Sequence, residues 1–259
     1  MNCCCICGTV RNCGIYLDKI FRNIEAIVPL FTDYRIILFY DESTDNTLQK
    51  LKEYQNKNNK FIFYNNKKLL AYRTHRLAFG RNVCLDFIRN NHPDYQYFIM
   101  MDCDDRCSKT ICPNILKMYL LRDDWDALSF NHPDGYYDTW ALSIGPFVAS
   151  CYHFKDNGLG QKYIYKLLNK TPKNDLIKCF SAFNGFAIYR TNKFLNSHYD
   201  GRFRLDYIPK YLLMLNVKVA GMINLKQNNE DCEHRYFHFE AINLNGAKIR
   251  ISPLKIFMN

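Results

Sequence analysis

The amino-acid sequence predicts an α/β fold: a Rossmann-like, mostly parallel central sheet with helices on both faces, followed by a less regular half. Two observations carry that prediction. Short apolar runs alternate with segments of helical spacing through the first 121 residues, the rhythm of strand–helix–strand units. Polar clusters stand at the ends of three of those runs, at Gly8-Thr9, Asp41-Glu42 and Asp102-Cys103-Asp104-Asp105. In open parallel sheets ligands collect beyond the carboxyl ends of the strands. The fold class therefore marks its own candidate site.

Taken in order, residues 3–9 (CCCICGT) form the first strand, broken at Asn12-Cys13-Gly14. Tyr16, Ile20, Ile24 and Ile27 then recur at helical spacing. Residues 35–40 (RIILFY) are a second strand ending in a polar turn, whose Ser43, Thr44 or Asp45 can cap a helix running through Leu48 and Leu51. A third strand is expected over 61–64 and a helix over 76–91, with Leu77, Cys84, Phe87 and Ile88 inward. Residues 97–101 (YFIMM) are a fourth strand that runs directly into Asp102. After Leu121 the rhythm changes. Residues 127–130, 179–190 and 217–225 read as strands, and 131–137 and 156–160 as loops.

Composition narrows the class. A chain of 259 residues, 48% hydrophobic and 23% charged, can bury a sizeable core and is too apolar for disorder. No apolar run approaches the roughly 20 residues that span a bilayer, and the short apolar start has no basic leader. A soluble, cytoplasmic protein with no membrane span is expected. Of the twelve cysteines, Cys3, Cys4, Cys5 and Cys7 crowd one strand, where neighbours point to opposite faces. Reduced, mostly buried thiols are therefore expected. Cys103, Cys107 and Cys112 lack the repeated CxxC interval of a zinc site. The net charge of +10 suits a phosphate-bearing ligand, an anionic surface or plain solubility. The basic residues form no arm, and no nucleic-acid partner is expected.

The chemistry concentrates in few places. A buried strand that stops at Asp102-Cys103-Asp104 sets carboxylates close together. Mg2+ or Mn2+ would relieve their repulsion, with the oxygens of a nucleotide diphosphate as further ligands. The same triplet could simply be an acidic turn before the next helix. Asp41 and Glu42 stand where base or ribose hydroxyls would be bound, while the following residues cap. Arg73 and Arg76, with Arg81 farther along, oppose the dipole of the helix they open, which points to a phosphate, to a partner for the acidic cluster, or simply to a solvated helix face. Near the end, Glu230, Asp231, Glu233, His234 and His238 fall within nine residues; if helical, Asp231, His234 and His238 share a face. One histidine could complete a metal shell and one carboxylate could take a proton; the plainer reading is a solvated acidic helix start with core histidines whose hydrogen bonds are satisfied. Tyr136, Tyr137 and Trp140 read as core or as an acceptor platform.

In their order and spacing, Cys7-Gly8-Thr9-Val10-Arg11-Asn12, Tyr40-Asp41-Glu42, Arg73-x-x-Arg76-Leu77-Ala78-x-x-Arg81-Asn82 and Met101-Asp102-Cys103-Asp104 resemble the GT-A glycosyltransferases. The nearest resemblance is to those encoded by large DNA viruses, and more distantly to fungal capsule mannosyltransferases. It extends through Pro253. The resemblance implies a single GT-A domain over 1–259, with a nucleotide-binding half at 1–121 and an acceptor and catalytic half at 122–259. It implies a nucleotide-sugar donor, a UDP-sugar favoured, a glycan acceptor and Mn2+ or Mg2+. For a viral enzyme, the host cytoplasm or the virion is the expected place. Gly8, Thr9, Arg11, Asp41, Glu42, Arg73, Arg76, Arg81, Asp102, Cys103 and Gly185, in Phe183-Asn184-Gly185-Phe186, become donor-binding candidates, with Lys248 and Arg250 reaching the diphosphate. Asp102, Asp104, His234 and His238 become metal candidates, and Glu230-Asp231 the acidic catalytic pair.

Two other functions compete. A nucleotidyltransferase would also use paired Asp and Mg2+, but the chain lacks a glycine-rich phosphate loop. A non-catalytic module for nucleic acid or glycan would account for the charge and the 15% aromatic content.

Overall fold

The computed structural model describes residues 2–65, 70–149, 158–221 and 229–258. In the first half β1 (Cys3–Val10), α1 (Gly14–Ile27), β2 (Asp33–Tyr40), α2 (Thr47–Lys57), β3 (Phe61–Asn65), α3 (Arg73–Asn91) and β4 (Tyr97–Asp102) follow one another. Then come β5 (Thr110–Ile111), α4 (Pro113–Leu120), β6 (Ala127–Asn131), α5 (Leu159–Lys170), β7 (Ile177–Lys178), β8 (Phe186–Arg190) and α6 (Thr191–Phe194). The chain closes with α7 (Lys210–Ala220), α8 (Glu233–Asn245), β9 (Ile249–Lys255) and β10 (Phe257–Met258).

Eight strands form one sheet in the order β3-β2-β1-β4-β8-β6-β9-β7, and β5 pairs with β10 apart from it. β3, β2, β1 and β4 are mutually parallel. β8 runs antiparallel to both β4 and β6, which restores the direction of β4 in β6 and β9. Both halves of the chain thus share one α/β sheet, mostly parallel and flanked by helices.

Strand alternation sorts the core into two faces. Cys4, Ile6, Ile36, Leu38, Ile99 and Met101 point one way, against Leu17, Ile20, Ile24 and Ile27 of α1. Cys5, Cys7, Ile37, Phe39, Phe98 and Met100 point the other way, against Ala78, Cys84, Leu85 and Ile88 of α3. The cysteines serve here as small apolar residues. Every cysteine among the described residues is a free thiol, and burial pushes the thiols of Cys4 and Cys7 well up from their ordinary range. Among the described residues no helix is long and apolar enough to cross a membrane.

Three expectations are corrected. Residues 179–190 are not one strand: Asn184 (φ 56°) and Gly185 (φ 85°) turn the chain before β8 begins. Two β-branched valines made 217–225 read as a strand, yet helix α7 takes the chain to Ala220, burying Leu212, Asn216 and Ala220 at helical spacing. Residues 222–225 lie outside the described residues. In the expected loop at 156–160, residues 156 and 157 lie outside them too, and α5 begins at Leu159 after a left-handed Gly158.

Candidate active site

The parallel register brings the ends of β1, β2 and β4 level, with Thr9 beside Asp102 and Val10 beside Tyr40. Beyond them opens a cleft of about 280 Å3 lined by Thr9, Val10, Arg11, Cys13, Phe39, Asp41, Arg73, Arg76, Leu77, Asp102, Cys103 and Asp104. Gly8 lies one residue beneath it. A Cβ there would sit 2.8 Å from the Met101 carbonyl and 2.9 Å from Cys103 Sγ, so only glycine lets β1 close on the strand that ends in the carboxylates. Glu42 is exposed and outside the lining. The turn after β2 fixes the far wall: Asp45 accepts from the N–H of Thr47 at 3.0 Å and of Gly14 at 2.9 Å, joining the starts of α2 and α1.

Four cations meet the anions here. Asp41 Oδ2 lies 3.3 Å from Arg76 Nε and 3.6 Å from Arg11 Nη1. Arg73 lines the cleft, is exposed, and has no ion-pair partner among the described residues; its charge acts on Asp102 and Asp104. At the start of α3 the Glu230 carboxylate accepts from Thr74 N at 3.2 Å and Thr74 Oγ1 at 3.3 Å. It satisfies an end-of-helix N–H that has no partner inside the helix.

Arg81, one turn farther along α3 and 2% exposed, sits behind the cleft. Its Nη2 donates to Asp102 Oδ1 at 3.0 Å and its Nη1 to Glu233 Oε1. Nη1 also meets His234 Nε2, and the guanidinium stands over the Phe183 ring, 4.7 Å from its centre. Burial alone would depress the guanidinium's pKa; the charges of Glu233 and Asp102 outweigh it and hold it above its ordinary value. On the other side, burial and then the charge of Asp104 push the Asp102 carboxyl up to about 8. Burial raises Asp104 as well, opposed by the Arg106 N–H that donates to it at 3.0 Å. Two crowded carboxylates thus face the cleft with a single buried guanidinium as close counter-charge.

A second layer fixes where they point. The Asp102 N–H donates to the Gly185 carbonyl at 2.8 Å, across from β4 to the turn before β8. That turn is clasped to residues 137–141. Asn184 Oδ1 accepts from Tyr137 N at 3.0 Å and Asp138 N at 3.2 Å, while Asn184 N donates back to Asp138 Oδ2 at 3.3 Å. Asp138 Oδ1 also takes the N–H of Ala141 at 3.1 Å. Burial raises the Asp138 pKa, and its charge in turn acts on Asp102. Gly185 is obligatory twice over, because its φ is left-handed and a Cβ would meet Tyr137 Oη at 2.3 Å.

Sequence reasoning did not single out Asp138, and it counted Glu233 only as one of three carboxylates clustered near the end of the chain. The available signals were an acid isolated among aromatics (Tyr136, Tyr137, Trp140) and a second acid just beyond Glu230-Asp231. Of that pair, Asp231 is 1% exposed; it accepts from Cys232 N at 2.7 Å and pairs with Arg235 Nε at 3.1 Å. Helix α8 begins at Glu233, so Asp231 does not share a helical face with the histidines. His238 is fully buried between Ser181 Oγ at 2.9 Å and Tyr189 OH at 3.2 Å. Tyr189 pairs with Phe98, four residues down β4 from Asp102, or about 13 Å of strand. His234 stacks on Phe183, ring centres 3.8 Å apart, and burial drives its pKa well down, so it meets Arg81 as a neutral ring. Lys248 and Arg250 are not brought to the cleft. The parallel β6–β9 register sets Ile249 level with Ala127, hence Lys248 just before the amino end of β9 and Arg250 one residue into it. Tyr136 is wholly buried, as a core residue.

Among the described residues no three His, Cys, Asp or Glu side chains are grouped to hold a metal. The donor set on offer is two carboxylates, Asp102 and Asp104, beside space for a ligand. That is the set a hard cation such as Mg2+ accepts when substrate phosphates and water supply the remaining oxygens.

Comparison with known proteins agrees with this layout. The model of glycosyl transferase family 2 matches residues 5–194, most of the chain. Residues 1–349 of S. aureus TarS superpose with a TM-score of 0.55 at 14% identity, covering 99% of this chain and 59% of that one. The UDP-GlcNAc complex of the same TarS fragment gives 0.53 at 16% identity, covering 99% and 57%. The chain thus spans less than two thirds of these structures, and at such identities they show the fold alone. A comparison with curated protein sequences returns no match. The chain belongs to glycosyl transferase family 2.

Proposed function

We propose that this member of glycosyl transferase family 2 moves a sugar from a nucleotide diphosphate, a UDP-sugar first among candidates, onto a glycan hydroxyl. One observation carries the reading: Asp102 and Asp104 end a buried strand at a cleft whose rim carries Arg11, Arg73 and Arg76. Acidic and basic groups facing one another across a small cleft suit a cation and a diphosphate bound together. Asp102 and Asp104 would hold Mn2+ or Mg2+. When bound, the ion would offset the charge growing on the diphosphate as the glycosidic bond breaks.

The chain's own residues do the rest. Asp41 stands at the carboxyl end of β2, where it can accept from the base or ribose of the donor, its orientation fixed by Arg76 and Arg11. Arg73 meets the phosphates. Arg81 holds Asp102 in place from behind the cleft. The acceptor hydroxyl must lose a proton as it attacks. Of the acidic residues at 230–233, Glu233 is the one tied to Asp102, through their shared Arg81. Glu230 serves the start of α3 and Asp231 is paired with Arg235. Buried behind the cleft and outside its lining, Glu233 is therefore assigned as the positioning group that holds Arg81 against Asp102, and Glu233→Gln should lose transfer and diminish the gain in melting temperature that UDP gives in Mn2+. Wild-type turnover in that variant would remove the assignment.

The test of the function is product analysis. With Mn2+ and a panel of nucleotide sugars, the wild type should release nucleoside diphosphate, and Asp104→Asn should lose at least about a hundredfold in rate while keeping its circular-dichroism spectrum. Release of pyrophosphate would instead show nucleotidyl transfer. Full activity in Asp104→Asn would defeat the metal assignment.

A further inference from the structure

We propose that helices α5 and α7 form a docking face for an anionic lipid bilayer, separate from the cleft. Both helices are seated on the same short segment. Asn216 of α7 accepts from the N–H groups of Val148 at 2.8 Å and Ala149 at 2.9 Å, and Tyr163 of α5 packs its ring on Phe147 with centres 5.5 Å apart. Leu213, Val217 and Ala220 of α7 and Tyr163 of α5 close around Phe147 and Ala149 in one apolar cluster.

Among the described residues the opposite side of α7 has no such cover. Tyr211 is 69% exposed, Met214 73%, Leu215 43% and Val219 43%. At 100° per residue these four and the exposed Lys210 and Lys218 fill one half of the helix, and the buried positions fill the other. Helix α5, seated on the same segment, carries the exposed Tyr165 with Lys162, Lys166 and Lys170. Neither helix contains an Asp or Glu.

That combination selects the occupant. Apolar side chains interleaved with lysines and free of acids match a helix lying in a headgroup layer, its apolar groups sunk into the acyl boundary. Lysine stems can lie along such a boundary while the ammonium groups stay among lipid phosphates. A protein partner fits less well, because the cores of protein interfaces are depleted in lysine. The chain's net charge of +10 favours an anionic surface over a neutral one.

The experiment is co-sedimentation of the full chain with vesicles of phosphatidylcholine alone or mixed with phosphatidylserine. The wild type should pellet with the mixed vesicles and stay in solution with the neutral ones. Tyr211→Ser/Met214→Ser/Leu215→Ser should bind the mixed vesicles at least tenfold more weakly. Lys210→Gln/Lys218→Gln should weaken binding by roughly thirtyfold, two lysines at an anionic surface contributing about 1 kcal/mol each. All five positions are exposed, so melting temperatures should stay within a degree or two of wild type. No pelleting with anionic vesicles, or pelleting that the triple substitution leaves unchanged, would overturn the proposal. So would a dimer in sedimentation velocity that the triple substitution abolishes, since the face would then belong to a second copy. Donor hydrolysis in solution needs no vesicle, so this outcome is independent of the sugar-transfer test.

Discussion

At the scale of single residues, Arg81 is the side chain on which the site most depends, because one buried guanidinium is shared by Asp102 and Glu233. Truncating one partner of a buried ion pair leaves the others uncompensated at a cost of about 3–5 kcal/mol. Arg81→Ala should therefore unfold at markedly lower temperature, and Arg81→Lys should recover only part of that loss, since one ammonium cannot span both carboxylates. Arg73 is the opposite case: exposed, without a carboxylate partner among the described residues, and expected to contact only the donor. Arg73→Ala should raise the donor KM roughly tenfold, with kcat and melting temperature little changed. His238 offers a third check. Burial lowers its pKa from 6.5 to about 3, with the charges of Arg235 and Arg81 adding to the effect. A depressed histidine pKa means that the fold prefers the neutral ring. Stability from this group is thus complete above about pH 6.5 and is lost as pH falls toward 3, by up to about 1.4 kcal/mol per pH unit. His238→Phe should flatten that acid limb in urea melts across pH 4–7 and leave Mn2+ titration of the cleft unaltered; weakened Mn2+ binding would return His238 to the metal shell. Its imidazole was attractive in sequence because histidine beside acids is common to metal shells and buried networks alike. Only the contacts with Ser181 and Tyr189 separate the two.

At the scale of elements, the strand-and-helix alternation of the first half was legible because each strand there is covered on both faces and each helix keeps one buried stripe. Gly8, Asp41 and the carboxylates after β4 could be placed from that rhythm alone. The second half was harder to read for definite reasons. Val217 and Val219 favour strands by type, but α7 is held by buried Leu212, Asn216 and Ala220, a tertiary preference that overrides the local one. The turn at Asn184-Gly185 was hidden inside an apolar stretch. Its importance comes from partners far along the chain: the Asp138 and Tyr137 N–H groups and the Asp102 N–H. Asn184→Ala would strip two backbone donors of their acceptor and release the Phe130 carbonyl, a loss of about 2–3 kcal/mol. Because the same turn aims Asp102, metal affinity should fall as well as stability. Loss of stability without any change in Mn2+ affinity would show that the clasp supports the fold alone.

At the scale of the whole molecule, sheet direction decides what can be catalytic. β1, β2 and β4 all discharge their carboxyl ends into one cleft, and β6 and β9, which run the same way as β4, likewise begin at the end of the sheet opposite it. Lys248 and Arg250 sit near that beginning, which no motif could have revealed without the register. The central claim is that Asp102 and Asp104 join a divalent ion to a diphosphate, and it makes the two ligands thermodynamically coupled. By linkage, whatever Mn2+ does to UDP affinity UDP does equally to Mn2+ affinity. The most direct measurement is isothermal titration of UDP with and without saturating Mn2+, in the wild type and in Asp102→Asn and Asp104→Asn. Mn2+ should tighten UDP binding by at least about tenfold, a coupling of roughly 1.4 kcal/mol, in the wild type and by little in either variant. Equal coupling in all three proteins, or none in the wild type, would contradict it.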